Sequence, residues 1–543
     1  MMTSPQSSQM SAIALRGIKW TTAAAVVTAV LQVGYTAIMA RLLDPAAFGL
    51  VALGGVVLRF GGYFAEMGLG HAIVQQPKLT TNDLRACFTA SVLLGVAVTG
   101  LFWLLAPLSV LLLKNSAVVP LIRALALGFV VTGVGLTATS VLRREMRFEV
   151  LAKLDVAAYI VAYGGVGLGC AWAGAGVWSL VAASMAQQLL LSLGTYAVVR
   201  HPVRLLFGWR HYSALFGYGS RVSLISFLEF LNGNLDTMLI GRLLGPVALG
   251  LYNRAYMLLY LPMYFLTNSV AKVAFPAFSQ VQQDVPRLRG LYLRSSTLVA
   301  TLVLPLCAGI AVAAPEMVRV LLGAQWDAAV PVLRVLCVAI PLSLTTMFAG
   351  IVADARANLH RKVVLNIEFI LLLVSLFWLL KGYGIVGIAA AIGIGEAVRT
   401  FLYMRLTHQD LRVSYSALFA LYLPGLRNAL GVGVSILLAS AGLRELGWPL
   451  LLVFGLQMLT GALALGASLL RWPTTELRPK LQQALQWLAT APLAPVWGRA
   501  WLRRYAKWLA STDTGSPSAF ASADLAGTTS VAIPLDVPEP VLS

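Results

Sequence analysis

Apolar runs, each near the ~20 residues needed to cross a bilayer core, recur from about residue 20 to about residue 470. Water is absent from that core, so each run must satisfy its backbone groups internally, which predicts helices. The strict alternation of a membrane β-barrel is missing. The pattern predicts fourteen spans, at 20–41, 47–70, 85–106, 119–142, 154–172, 177–199, 218–242, 247–271, 295–314, 330–352, 363–380, 385–404, 428–443 and 449–470. The first is read as a span and not as a cleaved leader, because it runs too long and "ARLLDP" is a poor cleavage site.

One punctuating turn is written twice. "ARLLDPAAFGL" at 40–50 and "GRLLGPVALGL" at 241–251 share seven of eleven residues at a constant offset of 201. The shared pairs are Arg41/Arg242, Leu42/Leu243, Leu43/Leu244, Pro45/Pro246, Ala47/Ala248, Gly49/Gly250 and Leu50/Leu251. Arg41 and Arg242 suit helix C-termini, Asp44 is a good N-cap, Gly245 a good helix breaker, and each proline fits the first turn of the next helix. An even number of spans separates the copies, so both lie on one face of the membrane. The expected fold is therefore an all-α integral membrane protein with two parallel six-helix lobes around a central cavity, a transporter plan. The lobes are placed at 1–205 and 206–412, followed by two extra helices within 413–475.

Composition agrees: 59% of the residues are apolar and 11% charged, far from a soluble domain. The net charge of +19 invites a nucleic-acid reading. The basic residues instead gather in alternate loops, as at Arg143, Arg144, Arg147 and Lys153, or Arg287, Arg289 and Arg294. That is the positive-inside pattern, with both termini cytoplasmic and the charge facing anionic lipid. Nucleic-acid binding is excluded as the reading. Cys87, Cys170, Cys307 and Cys337 fall in or beside spans with no close pair and read as small apolar residues. No cofactor or metal motif is present, and the five histidines form no ligand pattern.

A set of segments carries a resemblance, in order along residues 12–412. They are "RGIKW" (16–20), "ARLLDPAAFGLVAL" (40–53), "EMGLGHAIVQQ" (66–76), "RREMRFEVLAKLD" (143–155), "GAGVWSLV" (174–181), "NLDTMLIGRLLGPVALGLYNRAYML" (234–258), "FPAFSQVQQD" (275–284) and "LLGAQWDAAVPVLRVL" (321–336). Together they resemble the oligosaccharide flippases of the bacterial polysaccharide transporter family, in the superfamily that also holds multidrug antiporters and the peptidoglycan-precursor flippase. The resemblance implies a non-enzymatic flippase of the cytoplasmic membrane. Its substrate would be an undecaprenyl-pyrophosphate-linked oligosaccharide, and its partners membrane lipids and the polysaccharide polymerase or export machinery.

Ionisable residues inside spans are the candidate site, because each is costly in lipid. Arg59 and Arg254 are the candidate cavity cations for the anionic head, since the guanidinium fork fits phosphate oxygens. Glu229, Asn232 and Asp236 share one helix face at i, i+3, i+7 spacing, as counter-ions for the arginines or as a cation-coupling site. Asp236 is favoured as a counter-ion. Glu66 lies on the face of Arg59 and is read as the inner end of its helix, while Glu368 and Glu396 are read as structural. Past the spans, "WLRRYAKWLA" within 476–510 is expected to lie on the inner membrane surface. Residues 511–543, without Lys or Arg beyond Ser511, are expected to be disordered.

Three other functions compete. A multidrug–cation antiporter would suit a cavity of acids and aromatics without mid-span arginines. The peptidoglycan-precursor flippase shares the helix count, but the turn motifs sit closer to the polysaccharide branch. A membrane polymerase or glycan ligase would need a sizeable external loop, and the external connections here are short. The topology is tested by labelling single cysteines in a cysteine-free background. Cysteine at Asp44 or Gly245 should react from outside, and at Met146 or Leu205 only after permeabilisation; external labelling of the 143–153 loop would contradict it.

Overall fold

The computed structural model describes residues 5–66, 69–75, 79–206, 209–356 and 359–472, with positions 478, 482 and 486. Some side chains within these ranges, those of Glu66, Glu229 and Asn232 among them, lie outside the description. The described residues form helices and no strand. In chain order these are α1 (Pro5–Leu42), α2 (Pro45–Glu66), α3 (Leu69–Gln75), α4 (Thr81–Leu105), α5 (Ser109–Leu113), α6 (Val118–Ala126), α7 (Gly128–Arg144), α8 (Phe148–Tyr159), α9 (Leu168–Trp172) and α10 (Val177–Val199). They continue as α11 (Trp209–Gln280), α12 (Val285–Leu321), α13 (Val330–Ala355), α14 (Leu359–Leu380), α15 (Gly384–Leu411), α16 (Tyr415–Ala420), α17 (Leu423–Glu445) and α18 (Leu450–Arg471). Residues through Ala467 form one compact unit, and a second begins at Ser468. The expected surface helix and disordered tail lie outside the described residues.

Among the described residues, twelve helical stretches are long and apolar enough to cross a membrane. This differs from the expected fourteen at two places. Arg361–Leu411 is one apolar stretch that holds both α14 and α15, with Gly384 at φ +64° between them. Gly233–Tyr260 is one stretch that runs through Gly245, where φ of +83° and ψ of −178° break α11 in two.

The duplication extends from the turn to the packing. In the first half α7 packs on α4 and α10, and α8 on α10; in the second, α13 packs on α12 and α15, and α14 on α15. Small residues let these helices meet closely, which matters where lipid supplies no hydrophobic drive between helices. A Cβ on Gly133 would lie 2.5 Å from the Ser91 carbonyl oxygen, and the Ser91 hydroxyl donates to the Gly133 carbonyl at 2.8 Å. The Thr99 hydroxyl likewise donates to the Ala126 carbonyl at 2.8 Å.

The two turns meet each other. A Cβ on Gly49 would lie 1.8 Å from the carbonyl oxygen of Pro246, and one on Gly250 would lie 1.9 Å from the carbonyl oxygen of Pro45. Each copy's glycine thus admits the other copy's proline backbone, and the contact is reciprocal. The arginines repeat the exchange. Arg41 donates to the Val320 carbonyl of α12 at 2.8 Å, and Arg242 to the Leu111 carbonyl of α5 at 3.1 Å. Asp44 caps α2 by accepting from the Ala47 N–H at 2.9 Å. The end of α1 is closed by the other half of the chain: Trp326, fully buried, donates to the Ala40 carbonyl at 2.8 Å, and Gln325 donates to the Ala40 and Leu43 carbonyls. These contacts satisfy carbonyls that a helix terminus leaves unpaired.

Gly49→Ala or Gly250→Ala must push apart two backbones, at roughly 1–3 kcal/mol for an overpacked contact. Each is expected to lower the melting temperature and to raise thiol labelling of a cysteine at Leu53. Gly100→Ala, with nothing within 4 Å of its added Cβ, should be neutral or stabilising by about 0.5–1 kcal/mol. Equal behaviour of the three variants would contradict the turn contact.

Candidate functional site

Beyond Gly245, α11 is a partition with two unlike faces. Tyr252 and Tyr256 border a polar cavity of about 480 Å³. Met257, Leu258 and Pro262 border an apolar cavity of about 520 Å³ completed by α1, α12, α17 and α18. Residues 252 and 256 are one helical turn apart, as are 254 and 258, so the two sets face different neighbours.

Arg254 belongs with the apolar side. Its guanidinium lies 4.4 Å from the centre of the Phe48 ring, a cation–π contact. Its Nη1 donates to the Thr36 hydroxyl at 3.5 Å and to the Met257 sulfur at 3.3 Å, and both residues line the apolar cavity. Its Nε is buried without a hydrogen-bond partner. Among the described residues no carboxylate pairs with it. A cation thus stands at the edge of an apolar chamber, held by soft and aromatic neighbours.

Arg59, on α2, donates to the Asn234 side-chain oxygen at 3.0 Å, linking α2 to the first part of α11. Asn234 was not among the candidates from the sequence. It lies off the face shared by Glu229, Asn232 and Asp236, and nothing in the helical spacing selects it. Glu66 ends α2; its side chain, with those of Glu229 and Asn232, lies outside the described residues.

Asp236 faces the polar cavity, not an arginine. It accepts from the Tyr252 hydroxyl at 2.6 Å and from the Thr237 N–H at 2.7 Å. Asp236, favoured from sequence as a counter-ion, instead meets Tyr252, which turns toward it while Arg254 projects from another face of the same helix. The other charged groups of this cavity are two pairs. Glu396 accepts from Arg399 at 3.1 Å, with Arg399 also over the Phe369 ring at 4.9 Å, and Lys362 bridges to Asp354 at 2.8 Å. Tyr252, Tyr256 and Tyr260 stack one turn apart along the partition. Glu396, read as structural from sequence, lines the same chamber as Asp236, with one carboxylate oxygen buried and unpartnered. The exposed Glu368 contributes to neither cavity.

Other ionisable residues are accounted for by structure. Glu316, buried, pairs with Arg444 at 2.5 Å, joining α12 to α17. His201 packs between Phe88 and Tyr196, and burial holds its imidazole below the usual range. Cys87, Cys307 and Cys337 are buried thiols, and Cys170 is partly exposed. Among the described residues no group of three His, Cys, Asp or Glu could hold a metal.

With this geometry established, comparison adds kinship. The sequence profile described as polysaccharide biosynthesis protein matches residues 38–331. The lipopolysaccharide biosynthesis protein WzxC of Escherichia coli K12 is 26% identical over 330 residues, covering 60% of this chain and 66% of WzxC. The succinoglycan biosynthesis transport protein ExoT of Rhizobium meliloti is 30% identical over 324 residues, covering 59% of this chain and 65% of ExoT. The chain thus spans just under two thirds of either relative. Among solved structures, the lipid II flippase MurJ in an inward closed conformation matches with a TM-score of 0.63 at 13% identity, over 84% of this chain and 98% of MurJ. An inward-facing multidrug MATE transporter matches at 0.52 with 17% identity, over 72% and 94%. At such identities the likeness is one of fold.

Proposed function

The chain belongs to the polysaccharide biosynthesis protein family, and we propose on that premise that it carries a lipid-linked saccharide across the cytoplasmic membrane. The reading is an undecaprenyl-pyrophosphate-linked oligosaccharide repeat unit, delivered for a surface polysaccharide. One observation carries it. Arg254, without a carboxylate partner among the described residues, stands at the edge of the apolar cavity. An amphiphile with an anionic head and a long apolar tail matches that pairing: the head gains a charge-assisted hydrogen bond and the tail gains apolar wall. Arg59, bridged to Asn234, supplies a second cation near where the two halves meet. The termini are cytoplasmic in this reading, the repeated turns face outward, and the polymerase or export machinery receives the product.

The energy source is assigned to the polar cavity. Asp236 and Glu396 are carboxylates that face it within the span region, and one of them exchanging a cation would couple the lobe to a gradient. This extends the coupling option raised by the sequence; a multidrug antiporter would share it but gives no role to Arg254.

Arg254→Ala is expected to insert normally, abolish surface polymer and accumulate lipid-linked precursor. Arg254→Lys should restore part of the export, because charge survives and the fork does not. A charge swap between Asp236 and Arg254 should rescue nothing, since the two do not touch. Full export by Arg254→Ala at native expression would contradict the assignment.

A further inference from the structure

One side chain bordering the apolar cavity is in the wrong chemical surroundings. Phe454, Gln457, Met458, Gly461, Ala462 and Leu465 of α18 line it at helical spacing, and Gln457 is the polar member of that stripe. Its exposure is 0%, and both its amide nitrogen and its amide oxygen are buried without a hydrogen-bond partner. A primary amide brings two donors and one acceptor into apolar surroundings, and leaving them unmade is costly. Among the described residues no hydrogen-bond partner offsets that cost, so the fold alone gives the residue no purpose.

We propose that the Gln457 amide binds the polar end of the lipid that occupies this cavity, as a second head-group contact beside Arg254. The proposal rests on the lipid-linked saccharide reading and deepens it. The cavity supplies apolar wall for a chain, Arg254 touches its boundary through Thr36 and Met257, and Gln457 supplies neutral donors for phosphate oxygens together with an acceptor for a sugar hydroxyl. A neutral amide adds direction without adding charge, so it favours a phosphorylated lipid over the bare alcohol while letting the head leave again. The residue lies outside the stretch matched by the family profile, 38–331. In this arrangement α17 and α18 complete the binding site and do more than pad the bundle.

The test uses the full chain in nanodiscs, titrated with undecaprenyl pyrophosphate and, in parallel, with undecaprenol. The native protein should bind the pyrophosphate more tightly and gain the larger rise in melting temperature. Gln457→Leu removes an unsatisfied polar pair, so its ligand-free melting temperature should be unchanged or higher. Its affinity for the pyrophosphate should fall roughly tenfold, the worth of one hydrogen bond to a charged group, with undecaprenol binding unchanged. Gln457→Met, which keeps the length without the amide, gives the same comparison should the leucine variant fail to fold. Gln457→Glu should weaken pyrophosphate binding further, through repulsion. Native-like pyrophosphate affinity in both apolar variants would overturn the inference while leaving the functional reading intact. A loss of ligand-free stability with unchanged affinity would assign Gln457 to structure and overturn it too. A native protein that binds the pyrophosphate no better than the alcohol would overturn the functional reading and this inference with it.

Discussion

The contact that organises this protein is the one its sequence repeats. Gly49 receives the Pro246 carbonyl and Gly250 receives the Pro45 carbonyl, at distances that leave no room for a Cβ on either. Residues related by the offset of 201 therefore meet as partners about an approximate two-fold axis, and the arginines of the motif reach across it in the same reciprocal way. Duplication alone would preserve a fold, whereas this contact also requires the two copies to keep arginine, proline and glycine at matching places. Trp326 and Gln325, reaching back to the end of α1, tie the same end of the molecule together from outside the motif.

From that junction α11 descends between two chambers of opposite character. One of its faces offers tyrosines to a polar cavity with three carboxylates and two cations in pairs or hydrogen bonds. Another offers methionine and leucine to an apolar one. A transporter of amphiphiles needs both solvents in reach, because no single environment suits an anionic saccharide head and a polyprenyl tail. In the proposed function Arg254 joins the two requirements. Its charge is held by the Phe48 ring, a hydroxyl and a sulfur, which in the proposed function give way to phosphate oxygens.

Much of the architecture was legible because membrane helices and turns follow local rules. Asp44 caps α2 and Gly245 breaks α11 as their residue types demand. The repeat gave the kinship of the halves but not their contact, since identical spacing is equally compatible with two turns that never touch. Among the described residues, two pairs of expected spans fall within single apolar stretches, each broken inside, at Gly384 and Gly245. Within the site, i, i+3, i+7 spacing grouped Asp236 with Glu229 and Asn232 but could not name its partner. Tyr252 lies past the break in α11, and the angle there is invisible in the spacing. Asn234 and Gln457 escaped for a related reason: an uncharged amide in an apolar run raises no alarm until its neighbours are known, Arg59 for Asn234 and an apolar wall for Gln457.

The central claim is that a lipid-linked saccharide is the cargo, and mass spectrometry of the lipid extract from a strain lacking the gene tests it most directly. The account predicts that an undecaprenyl-pyrophosphate-linked oligosaccharide accumulates on the cytoplasmic leaflet while one surface polysaccharide disappears, and that the native gene reverses both. An unchanged lipid-linked saccharide pool together with normal surface polymer would contradict it.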